Sequence, residues 1–526
     1  MEPEKLDLES HHITDDKREE LLRLFPEIRT EDGKLDFERL RLTLGEAVDV
    51  GKERYGMNWP GKADCFKTIQ KPSLGTLRPC PEESVNFDTS ENLIIEGDNL
   101  EVLKLLQKSY LGKVKMIYID PPYNTGNDFI YPDNYSESLQ TYLEYTGQVD
   151  AEGRKFGTNT DADGRFHSKW LNMMYPRLYL ARNLLREDGV LFITIDDNEV
   201  DNLRKLCDEV FGEENFVARI VWEKIYTTKN DSVFLSSCHD YVLCYARNCA
   251  AFDVGLLPRS REMDARYSNP DNDPRGSWKP IPLYADGERK NGRYWINGPT
   301  GRKFQPQPES HWRYVEEDVV KLIADGRIYF GKDGDAQPNL KLFLSEVRAG
   351  VKAKTIWFHK EVGSNDTANR EMKDLFVDGG SPFDFPKPSG LVRRMLQLAA
   401  AEGDEVVLDF FAGSGTTAHA VLDANREDSG SRKFILVQLP EPTEHKDYPT
   451  IADITKERVR RVIKKLNDED AQASPQLALT PAPLPEGEGR KPDRGFRVFK
   501  LAESNFKAWN AEAPKDADGL ARQLEL

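Results

Sequence analysis

Tyr118-Ile119-Asp120-Pro121-Pro122-Tyr123 set a carboxylate, a stiff backbone corner and an aromatic face side by side. That is equipment for gripping a flat ring that carries an amino group. The run before it, Val114-Lys115-Met116-Ile117-Tyr118-Ile119, is rich in strand formers, and two prolines, lacking an N–H and fixed in φ, stop the ladder abruptly. Asp120 is therefore expected at the carboxyl end of a strand, where open α/β sheets hold their ligands. Proline also presses the residue before it towards extended backbone, so Asp120 and Pro121 are held stiffly and the Pro121 carbonyl is free to accept. The two acceptors can grip one amine, Pro122 fixes the corner, and Tyr123 offers a stacking face worth about 1–3 kcal/mol per base. For Asp-Pro alone, a turn that caps a buried strand is the simpler reading; the full tetrapeptide at a strand's end favours a pocket lip.

The second stretch lies far downstream. Glu405-Val406-Val407-Leu408-Asp409-Phe410-Phe411-Ala412-Gly413-Ser414-Gly415-Thr416-Thr417 reads as a strand, a glycine turn and a helix start. Gly413 and Gly415 allow backbone to approach a ligand closely. A full dinucleotide fingerprint wants a third glycine where Ala418 stands, and alanine is tolerated there, so a nicotinamide or flavin oxidoreductase is one reading. The next strand, Lys433 to Leu439, carries Gln438 where a ribose-binding acid is usual. Either Gln438 or Glu441 is expected to meet the ribose hydroxyls.

Together the two motifs resemble those of the amino-methylating DNA methyltransferases that use S-adenosylmethionine, in the class whose Asp-Pro-Pro-Tyr precedes its Phe-x-Gly-x-Gly loop. Here Asp120 comes 289 residues before Asp409. More narrowly, Pro121-Pro122-Tyr123-Asn124-Thr125-Gly126, the run Tyr267-Ser268-Asn269-Pro270-Asp271-Asn272-Asp273-Pro274-Arg275-Gly276, and Phe385-Pro386-Lys387-Pro388 resemble the modification subunit of type III restriction systems, from about Arg54 to Trp509. The resemblance implies an α/β fold: a Rossmann-like S-adenosylmethionine-dependent core with permuted motif order and an inserted α+β target-recognition domain. It implies methylation of the N6 amine of adenine in double-stranded DNA, with the base flipped out onto Tyr123. Asp rather than Ser at position 120 favours adenine over the N4 amine of cytosine, which is the alternative.

Cofactor contacts carry over in the same way. Phe411 is expected beside the adenine or methionine moiety, Gly413 and Gly415 beneath the cofactor, and Asp409 at its amino-acid end. Asp98, in Leu93-Ile94-Ile95-Glu96-Gly97-Asp98-Asn99, would face the cofactor adenine, although it is equally a good N-cap for a helix from Leu100 to Gln107. Lys387 would approach the cofactor carboxylate. The expected partners are DNA, a restriction subunit and a second copy of the chain, and the chemistry needs no metal.

Composition sets the frame for these sites. A net charge of −17 and a pI near 5.2 look wrong for a protein that grips phosphate, but residues 219–313 carry 15 Lys and Arg against 11 Asp and Glu. In that span Trp222, Tyr226, Tyr267, Trp278, Tyr284, Tyr294, Trp295 and Trp312 interleave with the basic residues, a mixture that suits backbone and base-edge contacts, though most are expected in a core. Cys65, Cys80, Cys207, Cys238, Cys244 and Cys249 include no Cys-x-x-Cys pair, which argues for plain thiols over a zinc or redox site. With neither an apolar stretch of membrane length nor a signal peptide, the chain is expected in the cytoplasm.

The expected organisation has an acidic helical extension over 1–88, ending in an irregular Pro- and Gly-rich stretch. The catalytic half of the core follows over 89–214, recognition over 215–381 and the cofactor half over 382–466. A low-complexity linker covers 467–493, and a shortened C-terminal segment runs over 494–526. A polar segment after Tyr123, to about Phe166, reads as a mobile loop over the flipped base. A helix from Lys169 to Arg186 is expected to break at Pro176. The basic run Ile454 to Leu466, with Lys456, Arg458, Arg460, Arg461, Lys464 and Lys465, reads as a solvated helix face or a DNA contact.

Overall fold

The computed structural model describes residues 13–30, 34–45, 56–125, 166–228, 234–348, 350–377, 380–399, 403–473 and 493–503. The expected loop over the base falls almost wholly on 126–165, most of the linker on 474–492 and most of the C-terminal segment on 504–526, all outside the described residues.

The short apolar runs become strands of one ten-stranded sheet: β1 (Gly75–Pro79), β2 (Leu93–Glu96), β3 (Val114–Ile119), β4 (Leu185–Ile195), β5 (Phe216–Glu223), β6 (His239–Ala246), β7 (Ile356–Trp357), β8 (Val406–Asp409), β9 (Lys433–Gln438) and β10 (Arg497–Glu503). Their order across the sheet is β1-β10-β2-β9-β8-β3-β4-β6-β5-β7. From β10 to β4 neighbouring strands are parallel; β1 pairs antiparallel to β10, β6 runs antiparallel to β4 and β5, and β7 is parallel to β5. This is the expected α/β architecture. β3 is buried at every position, as a parallel strand covered on both faces must be. Even its Lys115 is buried, with Nζ donating to the carbonyl and carboxylate of Asp188 at 2.8 and 2.9 Å.

The register explains the permuted order. Leu408 of β8 lies opposite Ile117 of β3 on one side and Ile435 of β9 on the other, so three strand ends distant in sequence meet at one edge. Helices α1 (Asn99–Tyr110), α2 (Phe166–Leu184) and α3 (Val200–Phe211) bury Leu103, Trp170, Leu178, Leu203 and Val210 in a common core with Ile95, Ile117 and Ile193. α4 (Thr416–Asp428) starts at the glycine turn, and α5 (Ile451–Ala473) follows β9.

Several expectations are corrected. α2 runs unbroken through Pro176. The carbonyl that a residue other than proline would have bonded, that of Asn172, instead faces Cys65 Sγ at 3.9 Å. The stretch before residue 88 is not merely an irregular lead-in: the helix Lys62–Gln70 buries Cys65 and Phe66 in the main core, and Gly75–Pro79 is an edge strand. The basic run in α5 is neither solvated nor free for DNA at four of its six cations. Lys456 is buried among Glu83, Glu96 and Asp453, Arg458 is buried beside the glycine turn, Arg460 reaches the Glu83 carbonyl, and Arg461 pairs with Glu457. Lys464 and Lys465 are exposed.

Within 215–381, β5, β6 and β7 join the large sheet, while residues 256–353 form a second compact unit. This unit is α+β. Asn339–Phe343 pairs antiparallel with Trp278–Pro282 and Ile328–Tyr329, the helix Glu316–Ala324 buries its Val319, and Leu283, Ile296, Phe304, Trp312 and Phe330 complete the core. Leu257–Pro258 pairs with Gly350–Val351, which brings the unit's chain ends together. Of the interleaved aromatics, Trp222, Tyr267, Trp278 and Trp312 are buried, Tyr284 and Tyr294 half-buried, and Tyr226 and Trp295 exposed. Cys65, Cys80, Cys207 and Cys244 are buried free thiols, and Cys238 and Cys249 exposed ones. Among the described residues no helix is long and apolar enough to cross a membrane.

Candidate active site

Asp120 follows the last residue of β3, where the sequence puts it. Its Oδ1 accepts from Thr194 Oγ1 at 2.6 Å and its Oδ2 from Lys387 Nζ at 2.7 Å. Pro121 is buried, and among the described residues no donor approaches its carbonyl. The Pro122 carbonyl accepts from the indole of fully buried Trp170 at 2.7 Å, which pins the corner to α2. Tyr123 packs its ring against the main core, with Lys387 Nζ 4.9 Å from the ring centroid and its hydroxyl 3.5 Å from Asp240 Oδ2. Burial, with Asp120 and Asp240 alongside, raises the Tyr123 pKa and keeps the phenol neutral. Asp240 is itself raised by burial, against the pull of Lys224 at 2.5 Å.

The turn is fastened behind Tyr123 as well. Asn124 adopts a left-handed φ of 60°, and its amide donates to the buried Glu199 at 2.5 Å. The same carboxylate meets His167 Nδ1 at 2.6 Å and Asn202 Nδ2 at 2.7 Å.

On the adjacent strand, Asp409 turns inward. Only 2% exposed, it accepts from the Phe411 N–H at 3.1 Å and from the Thr417 hydroxyl, so it shapes the glycine turn from within. Burial pushes it up to about 7. Gly413 and Gly415 take φ of 51° and 83°, conformations that suit glycine. Gly413 donates its N–H to Gln438 Oε1 at 2.7 Å and accepts from the Thr455 hydroxyl at 2.6 Å. Arg458 bonds both Ser414 Oγ and Thr416 Oγ1 at 2.8 Å. Phe411 is 6% exposed, its ring 5.4 Å from that of Phe410.

Asp98 is found as the N-cap of α1, accepting from Leu100 N and Glu101 N at 3.0 and 3.1 Å, with its other oxygen 3.3 Å from Arg177. The Gln438 amide is spent on Gly413 and on the Leu439 carbonyl, whereas the half-buried Glu441 carboxylate has no partner among the described residues and is pushed up to about 7 by burial alone. A group with ribose hydroxyls and an amino-acid end fits these strand ends: Glu441 is an unsatisfied acceptor after β9, Lys387 a cation held at Asp120, and Phe411 an apolar ring beside the glycine turn.

Sequence reasoning singled out Asp120 to Tyr123 and the glycine turn, which the structure brings to neighbouring strand ends, but not Thr194, Trp170, Glu199, Lys224, Asp240 or Thr455, and it placed Arg458 on a helix face rather than at the turn. Thr194 is a polar residue inside the apolar run Val190–Ile195, whereas Asp240 sits beside His239 at the polar start of its strand.

Residues 114–441 match the family described as DNA methylase. The chain is 37% identical over 489 residues to the Mod subunit of the type III restriction-modification enzyme StyLTI of Salmonella typhimurium, covering 88% of this chain and 72% of that protein. It is 33% identical to the EcoP15I Mod subunit of Escherichia coli, over 85% of this chain and 75% of the relative. The type II methyltransferase M.KpnI of Klebsiella pneumoniae is 30% identical, over 73% of this chain and 90% of its own length.

Proposed function

Since the chain belongs to the S-adenosylmethionine-dependent DNA methylases and, within them, to the Mod subunits of type III restriction-modification systems, we propose that it methylates the N6 amine of a flipped adenine at a specific site in duplex DNA. The observation that carries this reading is the pairing of a partly exposed Asp120 at the end of β3 with the glycine turn at the end of β8, the next strand.

An adenine amine is a poor nucleophile because its lone pair is delocalised into the ring. One N–H donated to Asp120 and the other to the Pro121 carbonyl would localise that pair and stabilise the positive charge that develops on nitrogen. The prolines and Thr194 hold both acceptors in place. Tyr123, neutral and wedged against the core, supplies the stacking face for the extruded base. S-adenosylmethionine, when bound, supplies the methyl group. For its site we assign Gly413, Gly415 and Phe411 to the cradle, Glu441 rather than Gln438 to the ribose, and Lys387 to the carboxylate. Asp98 and Asp409 act by shaping the loops around them. The oxidoreductase reading of the glycine turn leaves Asp120 to Tyr123 idle and is set aside by the family.

Unit 256–353 is the candidate for target recognition: Trp295 stands 54% exposed in it, and Lys290, Arg293 and Lys303 are exposed without partners among the described residues. A restriction subunit, a second copy of the chain and a cytoplasmic setting belong to the same reading, on the likeness to type III Mod subunits.

The test is incubation with methyl-labelled S-adenosylmethionine and genomic DNA free of prior methylation, then digestion to nucleosides. Label in N6-methyladenine is expected. Label in N4-methylcytosine would replace the adenine reading, and absence of cofactor binding would end both.

A further inference from the structure

Lys387 stands where the target amine must go. Its Nζ holds Asp120 Oδ2 at 2.7 Å, Thr194 holds Oδ1 at 2.6 Å, and the same ammonium lies 4.9 Å from the Tyr123 ring centroid. While Lys387 stays, each oxygen already holds one donor, and the amine would meet Oδ2 with an ammonium against it. A cation at that distance also opposes the positive charge that grows on the amine during transfer, and a partly buried site screens it weakly. The ion pair therefore has to open before the reaction.

Where the ammonium can go follows from where the lysine is rooted. Its backbone carbonyl accepts from Thr416 Oγ1 at 3.1 Å, and Thr416 is the first residue of α4, directly after the glycine turn. A flexible four-carbon stem thus joins the cofactor loop to the catalytic acid. The other nearby carboxylate, Asp240, already has its own cation in Lys224 at 2.5 Å. An incoming anion is what remains to compete with Asp120.

We propose, resting on the methyltransferase reading above, that Lys387 is a shuttle: in the cofactor-free protein it masks Asp120, and the cofactor's α-carboxylate draws it away, opening Oδ2 to the target amine. The cofactor then precedes productive capture of the base, and the acid is masked whenever no methyl donor is present.

A binding cycle without DNA tests this. Affinities of the full chain for S-adenosylhomocysteine, which keeps the carboxylate, and for 5′-methylthioadenosine, which lacks the amino-acid end, are measured calorimetrically for the parent, Asp120→Asn, Lys387→Met and the double variant. Freeing the lysine in Asp120→Asn is expected to tighten S-adenosylhomocysteine by about tenfold, the equivalent of one modest ion pair, and to leave 5′-methylthioadenosine unchanged. Lys387→Met is expected to weaken S-adenosylhomocysteine and to cancel the effect of Asp120→Asn. Methylthioadenosine binding checks that each variant is folded.

Three outcomes overturn the shuttle: no effect of Asp120→Asn, an equal effect on both ligands, or an effect that persists without Lys387, which would be plain repulsion between Asp120 and the cofactor carboxylate. Failure of the parent chain to bind S-adenosylhomocysteine is a separate result, and it removes the methyltransferase reading itself.

Discussion

Asp120 and Asp409 stand at the ends of neighbouring parallel strands, yet their carboxylates take different kinds of partner. Asp409 folds back on its own turn, taking the N–H of Phe411 two residues on, and is sealed from solvent. Asp120 cannot do this, because the residue two positions on is Pro122, which has no N–H, and neither has Pro121. Its carboxylate keeps 23% exposure and takes its partners from β4 and from Lys387. Aspartate at a strand end tends to satisfy itself locally. Two prolines deny it that option and hold it ready for a ligand, while the glycines after Asp409 let the acid become part of the scaffold.

The comparison can be broken most severely at the ligand-facing acid. Asp120→Ala is expected to lower methyl transfer by about 10²–10³-fold or more, on the scale of losing one preorganised partner of a developing charge, with little change in melting temperature. Transfer assays beside thermal melts check this, and retained transfer would remove Asp120 from the chemistry. Pro122→Ala sharpens the point. The new N–H should let Asp120 close on its own turn and lower transfer by about tenfold, roughly 1.4 kcal/mol of barrier, with cofactor affinity unchanged; a variant as fast as the parent would show that proline's missing donor is irrelevant.

The smallest effect belongs to Asp409. Burial lifts it to about 7 from an ordinary 3.8, so the folded protein holds this proton more tightly than the unfolded chain. Its contribution is full below about pH 4 and is lost as pH rises through about 7. Asp409→Asn can still accept from the Phe411 N–H and can donate its amide to the Thr417 hydroxyl but cannot titrate, so its melting temperature should fall less than the parent's between pH 5.5 and 8.5, by a few degrees for about 1 kcal/mol. Parallel melting curves would refute this.

What could be read from the chain beforehand was local. Asp-Pro-Pro-Tyr and the glycine turn announce themselves because proline and glycine act on their own backbone, and apolar runs announce strands. Thr194, Trp170, Asp240 and Glu199 reach the site from distant segments, and no spacing encodes which acid a threonine will meet. The basic face of α5 misled because charge was visible in sequence while Glu83, Glu96 and Glu371, which neutralise Lys456 and Arg458, lie elsewhere in the chain. Pro176 misled because propensity describes an isolated helix, and α2 is held by a core in which Trp170 and Leu178 are fully buried.

β10 carries one more consequence. Arg497–Glu503 fills an interior slot of the sheet, between β1 and β2, although those two strands leave the ribosome some four hundred residues earlier. At about 5–20 residues per second, the nascent chain waits roughly 20–80 s with the facing edges of β1 and β2 unpaired. Open edges of that kind recruit other strands. The newborn enzyme is thus most prone to aggregate late in its own translation, and a ribosome stalled short of residue 497 leaves a sheet that has its catalytic end but still lacks one of its inner strands.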